Sequence, residues 1–225
     1  MAHQLSALDE QYSVDLRQRL VDQGELSDPR TPKGALVQAA TRLFRQRGYE
    51  RTTVRELAKA VGILPGSIFH HFRSKDEILQ TVMREGITLT LARMRAALEH
   101  ANTPEARLRA LIYWELWALN GETGEAMVSL IHEWRSLSPE GQDAILALRD
   151  IYEKQWLDVL GEAREGGLTD TDSFILRRLL AGALNWTVNW FKPEGGEMSI
   201  EDLTDEVLHL VTRNRRSTDQ SLSGS

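Results

Sequence analysis

The stretch from Thr53 to Phe72 limits what this chain can build more than any other part of it. Thr53 and, three positions later, Glu56 form the pattern of a capping box: the hydroxyl accepts from the Glu56 amide and the carboxylate accepts from the Thr53 amide. A short helix starting there ends at Gly62. Pro65 then stands at the first position of a second short helix, where a missing N–H costs nothing, and Gly66 and Ser67 are small enough to let that helix end approach another surface. Two short helices joined by a glycine turn, the second presented tip first, suit a DNA major groove.

The surrounding pattern is helical. Leu36, Ala40, Leu43 and Phe44 share one face of a helix over 33–47 that Gly48 terminates and that can pack behind the two short ones. Ser74 with Glu77 predicts a second capping box, opening a long helix through Ile78, Leu79, Val82 and Met83 toward Glu99. Thr103–Pro104 and Ser138–Pro139 each place a side-chain cap before a first-turn proline. A further helix is expected from Asp170 or Thr171 to Pro193, and a last one capped by Ser199 with Leu203, Val207 and Leu210 on its stripe. Strand alternation is nearly absent, so the expected fold is all-α. It divides into an N-terminal extension (1–30), partly helical or disordered, and a three-helix DNA-binding unit (31–76). A helical effector and dimerisation domain (77–213) and a disordered tail (214–225) follow.

Charge narrows the function. The chain totals −6, yet between Arg30 and Asp76 ten basic residues face only Glu50, Glu56 and Asp76, a local +7 that leaves −13 for the remainder. Positive charge gathered in one segment suits phosphate binding, and the acidic remainder discourages it elsewhere; a solvated basic helix surface explains the same charge without DNA. Cysteine is absent, which excludes a disulfide framework and thiolate metal sites. No apolar run approaches the ~18 residues of a membrane span and no secretory leader is recognisable, which predicts a cytoplasmic protein. No Gly-rich phosphate loop, Gly-x-Ser-x-Gly elbow or paired-carboxylate motif appears. His132 beside Glu133 lacks the second histidine of a zinc-hydrolase helix. No enzyme, metal site or cofactor is expected.

Residues 33–83 resemble the DNA-binding domain of the TetR family of transcriptional repressors. The resemblance rests on Phe44, Gly48, Thr53, Ala58, Gly62, Gly66, Phe69, His70, Phe72, Ser74 and Lys75 in order and spacing. It implies a homodimer that places its second short helices in successive major grooves of double-stranded DNA, and a larger helical domain that binds a small molecule. Carried over, Thr52 and Thr53 would hold phosphate, Gly66, Ser67 and His70 would lie against base edges, and Lys75 would grip the DNA backbone. Leu64, Pro65 and Phe69 depart from the commonest pattern; Leu64 suits a thymine methyl and Phe69 suits packing, altering which sequence is read. The rest resembles the branch of the family that controls fatty-acid and steroid degradation and senses acyl-CoA thioesters. That likeness rests on Glu133, Trp134, Arg135, Leu137, Ser138 and Pro139, and on Asn185, Trp186, Trp190, Phe191, Pro193 and Gly195. Arg often stands there at the position of Asn189.

All six tryptophans follow residue 113. An aromatic-lined effector pocket would account for that, as would a packed core and dimer interface. The pocket candidates are Tyr113, Trp114 and Trp117, then Met127, Leu130 and Trp134, with Trp186, Asn189 and Trp190 from the second stretch. The expected function is a ligand-responsive repressor, dimeric on a palindromic operator and released by a hydrophobic or acyl-CoA-type effector, with multidrug-type or other aromatic molecules as the alternative. A helical protein-interaction module without DNA binding is the competing class.

Overall fold

The computed structural model describes residues 15–121, 133–193 and 195–212. The pocket candidates Met127 and Leu130, His132 and the tail from Arg213 lie outside them. The protein is all-α. Helix α1 covers residues 15–22, followed by α2 (Pro32–Arg47), α3 (Val54–Val61), a 3-10 turn (Pro65–His70), α4 (Lys75–His100), α5 (Pro104–Asn120), α6 (Pro139–Glu165), α7 (Ser173–Trp186) and α8 (Ile200–Val211).

Helix starts follow the side-chain caps read from the sequence, and Thr31 adds one at α2 that was not read there. Thr31, Thr53, Ser74, Thr103, Ser138 and Ser199 each accept from an amide of the first turn, and both halves of the capping box form at Thr53 with Glu56. Three expectations need correction. The Glu77 carboxylate reaches past Ser74 to the Arg73 amide (2.6 Å). The second short helix is a 3-10 turn, a form common in short pieces that must bring their end quickly back to the core, here at Ile68 and Phe72. The helix expected to reach Pro193 starts at the Asp172 cap and stops at Trp186. There Thr187 donates its hydroxyl to the Leu184 carbonyl (2.7 Å) and accepts from Asn120 (2.8 Å), which tightens the chain into a 3-10 turn over Thr187–Asn189.

One continuous apolar core runs from Leu36 to Leu208. Leu36, Phe44, Leu57, Ile68 and Phe72 close the small N-terminal unit, and α4 carries that core into the larger one, packing on α2, α5 and α6. A second cluster joins Leu16, Leu20 and Leu26 to Leu89 of α4. Ser27 donates its amide (3.0 Å) and hydroxyl (2.6 Å) to Glu85, so the N-terminal extension straps the middle of α4 to the start of α2. The crossing is close: a Cβ on Gly34 would lie 1.9 Å from the Asp28 carbonyl oxygen.

Sequence reading missed an ionic network inside the larger unit. Buried Arg177 of α7 donates to both Glu115 oxygens of α5 (3.3 Å each) and in a two-pronged pair to Glu153 of α6 (3.0 and 2.9 Å). Tyr152 donates to the same Glu115 at 3.0 Å. Burial alone would lower the Arg177 pKa, and the charges of Glu115 and Glu153 outweigh it, holding the guanidinium firmly protonated.

Candidate nucleic-acid interface

Helix α3 is fixed at both ends, by the Thr53–Glu56 box and by left-handed Gly62, and it buries Leu57 and Ala58. The 3-10 turn then hangs from one anchor, Ile68, 1% exposed, with Phe72 behind it. On either side of that anchor the turn faces outward: Leu64 is 76% exposed and Phe69 57%, and Pro65, Gly66 and His70 are exposed as well. Leu64 offers no side-chain cap, Pro65 has no N–H, and the Ser67 amide donates to the Leu64 carbonyl (2.9 Å), which leaves the Gly66 amide at the tip. A Cβ on Gly66 would meet nothing within 4 Å, so the protein itself does not require glycine there.

The sequence-predicted DNA contacts therefore divide. Leu64, Pro65, Gly66, Phe69 and His70 lie on the exposed tip, Ser67 is half-buried beside them, and Thr53 is exposed at the α3 cap. Thr52 is a correction: its side chain is fully buried and its hydroxyl donates to the Gly48 carbonyl (2.9 Å), which leaves nothing for a phosphate. Lys75 is half-buried, and its ammonium donates to the carbonyls of Tyr49 (2.8 Å) and Thr52 (3.0 Å) while lying 3.9 Å from the Tyr49 ring centroid. It ties the α2–α3 turn to the start of α4, with one N–H to spare. Of the ten basic residues of this segment every one but Lys75 stands in solvent, Lys33, Arg51, Arg55 and Arg73 among them, and a motif-based reading passed over these. Their exposure is set by the fold, and only the charge count hinted at them.

Two groups carry shifted protonation. Hydrogen bonds from the Thr53 amide and hydroxyl, helped by Arg47 at 2.8 Å, hold the Glu56 carboxyl below the usual carboxylate range. Burial, aided by the negative charges of Asp76, Glu50 and Glu133, pushes the Tyr49 phenol up to about 12.

The pocket candidates are dispersed. Tyr113, Trp114 and Trp117 pack edge to face on one another, and the buried Arg93 guanidinium covers Trp117 at 4.0 Å from its centroid. Trp134 is half-buried under Arg149, whereas Trp186, Asn189 and Trp190 are exposed. None of these lines the cleft of about 220 Å³ that opens between α4, α5 and α6, bounded by Arg95, Leu98, Arg107, Ile151, Lys154 and Gln155. Among the described residues no cluster of His, Asp and Glu could hold a metal, and no helix is long and apolar enough to cross a membrane.

Comparison with known proteins agrees with this geometry. Residues 36–82 match the family model for bacterial regulatory proteins of the tetR family, and residues 101–214 match the tetracyclin repressor-like C-terminal domain. The HTH-type transcriptional repressor KstR2 of Mycolicibacterium smegmatis is 30% identical, over 82% of this chain and 91% of its own length. The solved structure of ketosteroid transcriptional regulator KstR2 of Mycobacterium tuberculosis superimposes with a TM-score of 0.72 at 27% identity, covering 84% of this chain and 99% of that one. A crystal structure described as the superantigen pfit is 52% identical with a TM-score of 0.76, over 89% of this chain and 99% of its own. AibR, solved with isovaleryl coenzyme A and operator DNA, shares the fold at 24% identity and a TM-score of 0.73, covering 80% and 97%. With both halves matched in order and a full-length relative among the repressors, the chain belongs to the TetR family of DNA-binding transcriptional regulators, a non-enzymatic family.

Proposed function

We propose that this protein is a cytoplasmic, ligand-responsive repressor that binds a palindromic operator as a homodimer. The observation that carries the reading is the exposure of Leu64, Pro65, Gly66, Phe69 and His70 on a turn without a side-chain cap, in a segment of charge +7 within an otherwise acidic chain. Leu64, Pro65, Gly66, Ser67, Phe69 and His70 read base edges, Thr53 borders the backbone, and Lys33, Arg51, Arg55 and Arg73 meet phosphates. Dimerisation is supported by the apolar side chains that α7 and α8 leave in solvent, Phe174, Ile175, Leu179, Trp186 and Leu210. Such a face suits a self-complementary four-helix contact. Two reading turns about one helical repeat apart, roughly 34–36 Å, then match a near-palindrome.

The effector is a hydrophobic acyl-CoA-type thioester. AibR, which shares the fold, was solved with isovaleryl coenzyme A, KstR2 is a ketosteroid regulator with a similarly apolar theme, and the α4–α5–α6 cleft sets Arg95 beside Leu98 and Ile151, with Arg107 paired to Glu162 and Lys154 to Asp158 at its edge. An aromatic drug-like effector is the alternative, favoured by the Tyr113, Trp114 and Trp117 cluster. The half-identical pfit supports a second reading, a superantigen, in which an exposed apolar face and not the reading turn meets the partner.

Titrating the protein with its own upstream DNA at several salt concentrations separates these readings. A repressor binds tightly with log affinity falling steeply against log salt, at about 0.9 per phosphate neutralised. Weak binding with a slope near zero contradicts it and favours the protein-binding alternative.

A further inference from the structure

The short segment that precedes α6 touches the DNA-binding unit at two points. One Glu133 carboxylate oxygen accepts from the Tyr49 backbone amide at 2.9 Å, across 84 positions of sequence, and the other accepts from the Ser136 hydroxyl at 3.0 Å. Five residues after Glu133, Ser138 donates its amide (3.0 Å) and hydroxyl (2.9 Å) to Asp76 in the first turn of α4. Between these two contacts lies Lys75, whose ammonium holds the Tyr49 and Thr52 carbonyls. The Tyr49 peptide is thus gripped on both sides, its N–H by the larger unit and its C=O by α4. Thr52 passes the constraint to Thr53, the cap from which α3 and then the reading turn are built. The fit at this point is close, since a Cβ on Gly48 would come 3.4 Å from the Glu133 oxygen, and Gly48 already has a left-handed φ of +79°.

We propose that Glu133 is a positioning residue for operator binding: through the Tyr49 amide it fixes the α2–α3 turn, and with Lys75 it sets the orientation of the reading turn relative to the larger unit. The proposal rests on the DNA-binding reading above but assigns a determinant of affinity that never touches DNA. A charged acceptor on a half-buried amide is among the stronger single hydrogen bonds a protein makes. Its placement across two units lets a rearrangement in the 133–138 segment reach the DNA-binding unit without passing along the whole of α4.

The test compares wild type, Glu133→Ala, Glu133→Gln, Lys75→Ala and the Glu133→Ala/Lys75→Ala double variant in the full chain, using upstream DNA, thermal unfolding and residue-resolved amide exchange. Glu133→Ala is expected to speed exchange at the Tyr49 amide and to weaken DNA binding at least about tenfold, the effect of one lost charged hydrogen bond. Its salt slope stays unchanged, because no phosphate contact is lost. Glu133→Gln keeps both contacts, since Ser136 Oγ can turn to accept from the amide, and binds within about threefold of wild type. Lys75→Ala weakens binding in the same way, and the double variant is no weaker than the worse single one, as two links of a single relay require. Normal Tyr49 exchange and affinity within twofold in Glu133→Ala, or additive losses in the double variant, would overturn the proposal. If Glu133→Ala does not fold, loss of binding in a folded Glu133→Gln would overturn it equally. A wild type that ignores DNA refutes the repressor reading, while accelerated Tyr49 exchange in Glu133→Ala still measures the clamp.

Discussion

Tyr49 shows how much one residue of the α2–α3 turn is asked to do. Its ring packs edge to face on Phe44 with centroids 5.3 Å apart, its amide meets Glu133, its carbonyl meets Lys75, and the Lys75 ammonium covers its face. Burial first, then the negative charges of Asp76, Glu50 and Glu133, push the phenol up to about 12, against about 10 in an unfolded chain. A raised folded-state pKa contributes stability that is complete below pH ~10 and is lost as pH rises toward 12. Phenolate absorbance should therefore show a component titrating near 12 that Tyr49→Phe removes, and alkaline unfolding should be less steep in that variant. If the substitution removes a component near 10 instead, the packing described here is wrong. Little of this was legible in the sequence. Thr52 and Lys75 carry the right residue types for phosphate contact and spend them on the turn, because a neighbouring carbonyl is nearer than any solvent-facing partner.

At the level of the elements, boundaries were the most legible part. A side-chain oxygen three residues ahead of an unpaired amide is a local interaction, so Thr53, Ser74, Thr103, Ser138 and Ser199 announce their helices without reference to the rest of the fold. What joins one helix to another is not local, and that is where sequence reading failed. Nothing in the spacing of Glu115, Tyr152, Glu153 and Arg177 shows that α5, α6 and α7 bring them together in the interior. A pair buried this deeply is costly to break one-sidedly. Arg177→Met should destabilise the protein by about 3–5 kcal/mol, because Glu115 is left buried without its counter-charge, with only the Tyr152 hydroxyl among the described residues to meet it. Adding Glu115→Gln should recover much of that loss, since the amide oxygen still accepts from Tyr152 while the stranded charge disappears. Denaturant unfolding of the three variants decides it: a single variant near wild type, or a double variant worse than the single, would show that the network does not hold these helices together.

For the whole molecule, the distribution of charge and of apolar surface carries the functional meaning. The +7 segment lies at one end of the chain with the reading turn, and the exposed apolar side chains of α7 and α8 belong to the other. One end therefore suits DNA and the other a second copy. The ligand side was far less legible, because tryptophans mark large apolar contacts of any kind: Trp114 and Trp156 went to the core, Trp186 and Trp190 to the surface. The central claim, that the tip of the reading turn enters a duplex, meets its most direct test at Gly66. A Cβ placed there meets nothing within 4 Å, and its φ is not left-handed. Gly66→Leu should therefore leave the melting temperature unchanged or slightly raised, since removing glycine restricts the unfolded chain. The added side chain should nevertheless hold a base edge away and weaken operator binding by a hundredfold or more, roughly the worth of one or two specific base contacts. Operator affinity measured on Gly66→Leu beside its melting curve gives the answer: an intact fold with lost binding is the result predicted here, and an intact fold with undiminished binding would contradict it.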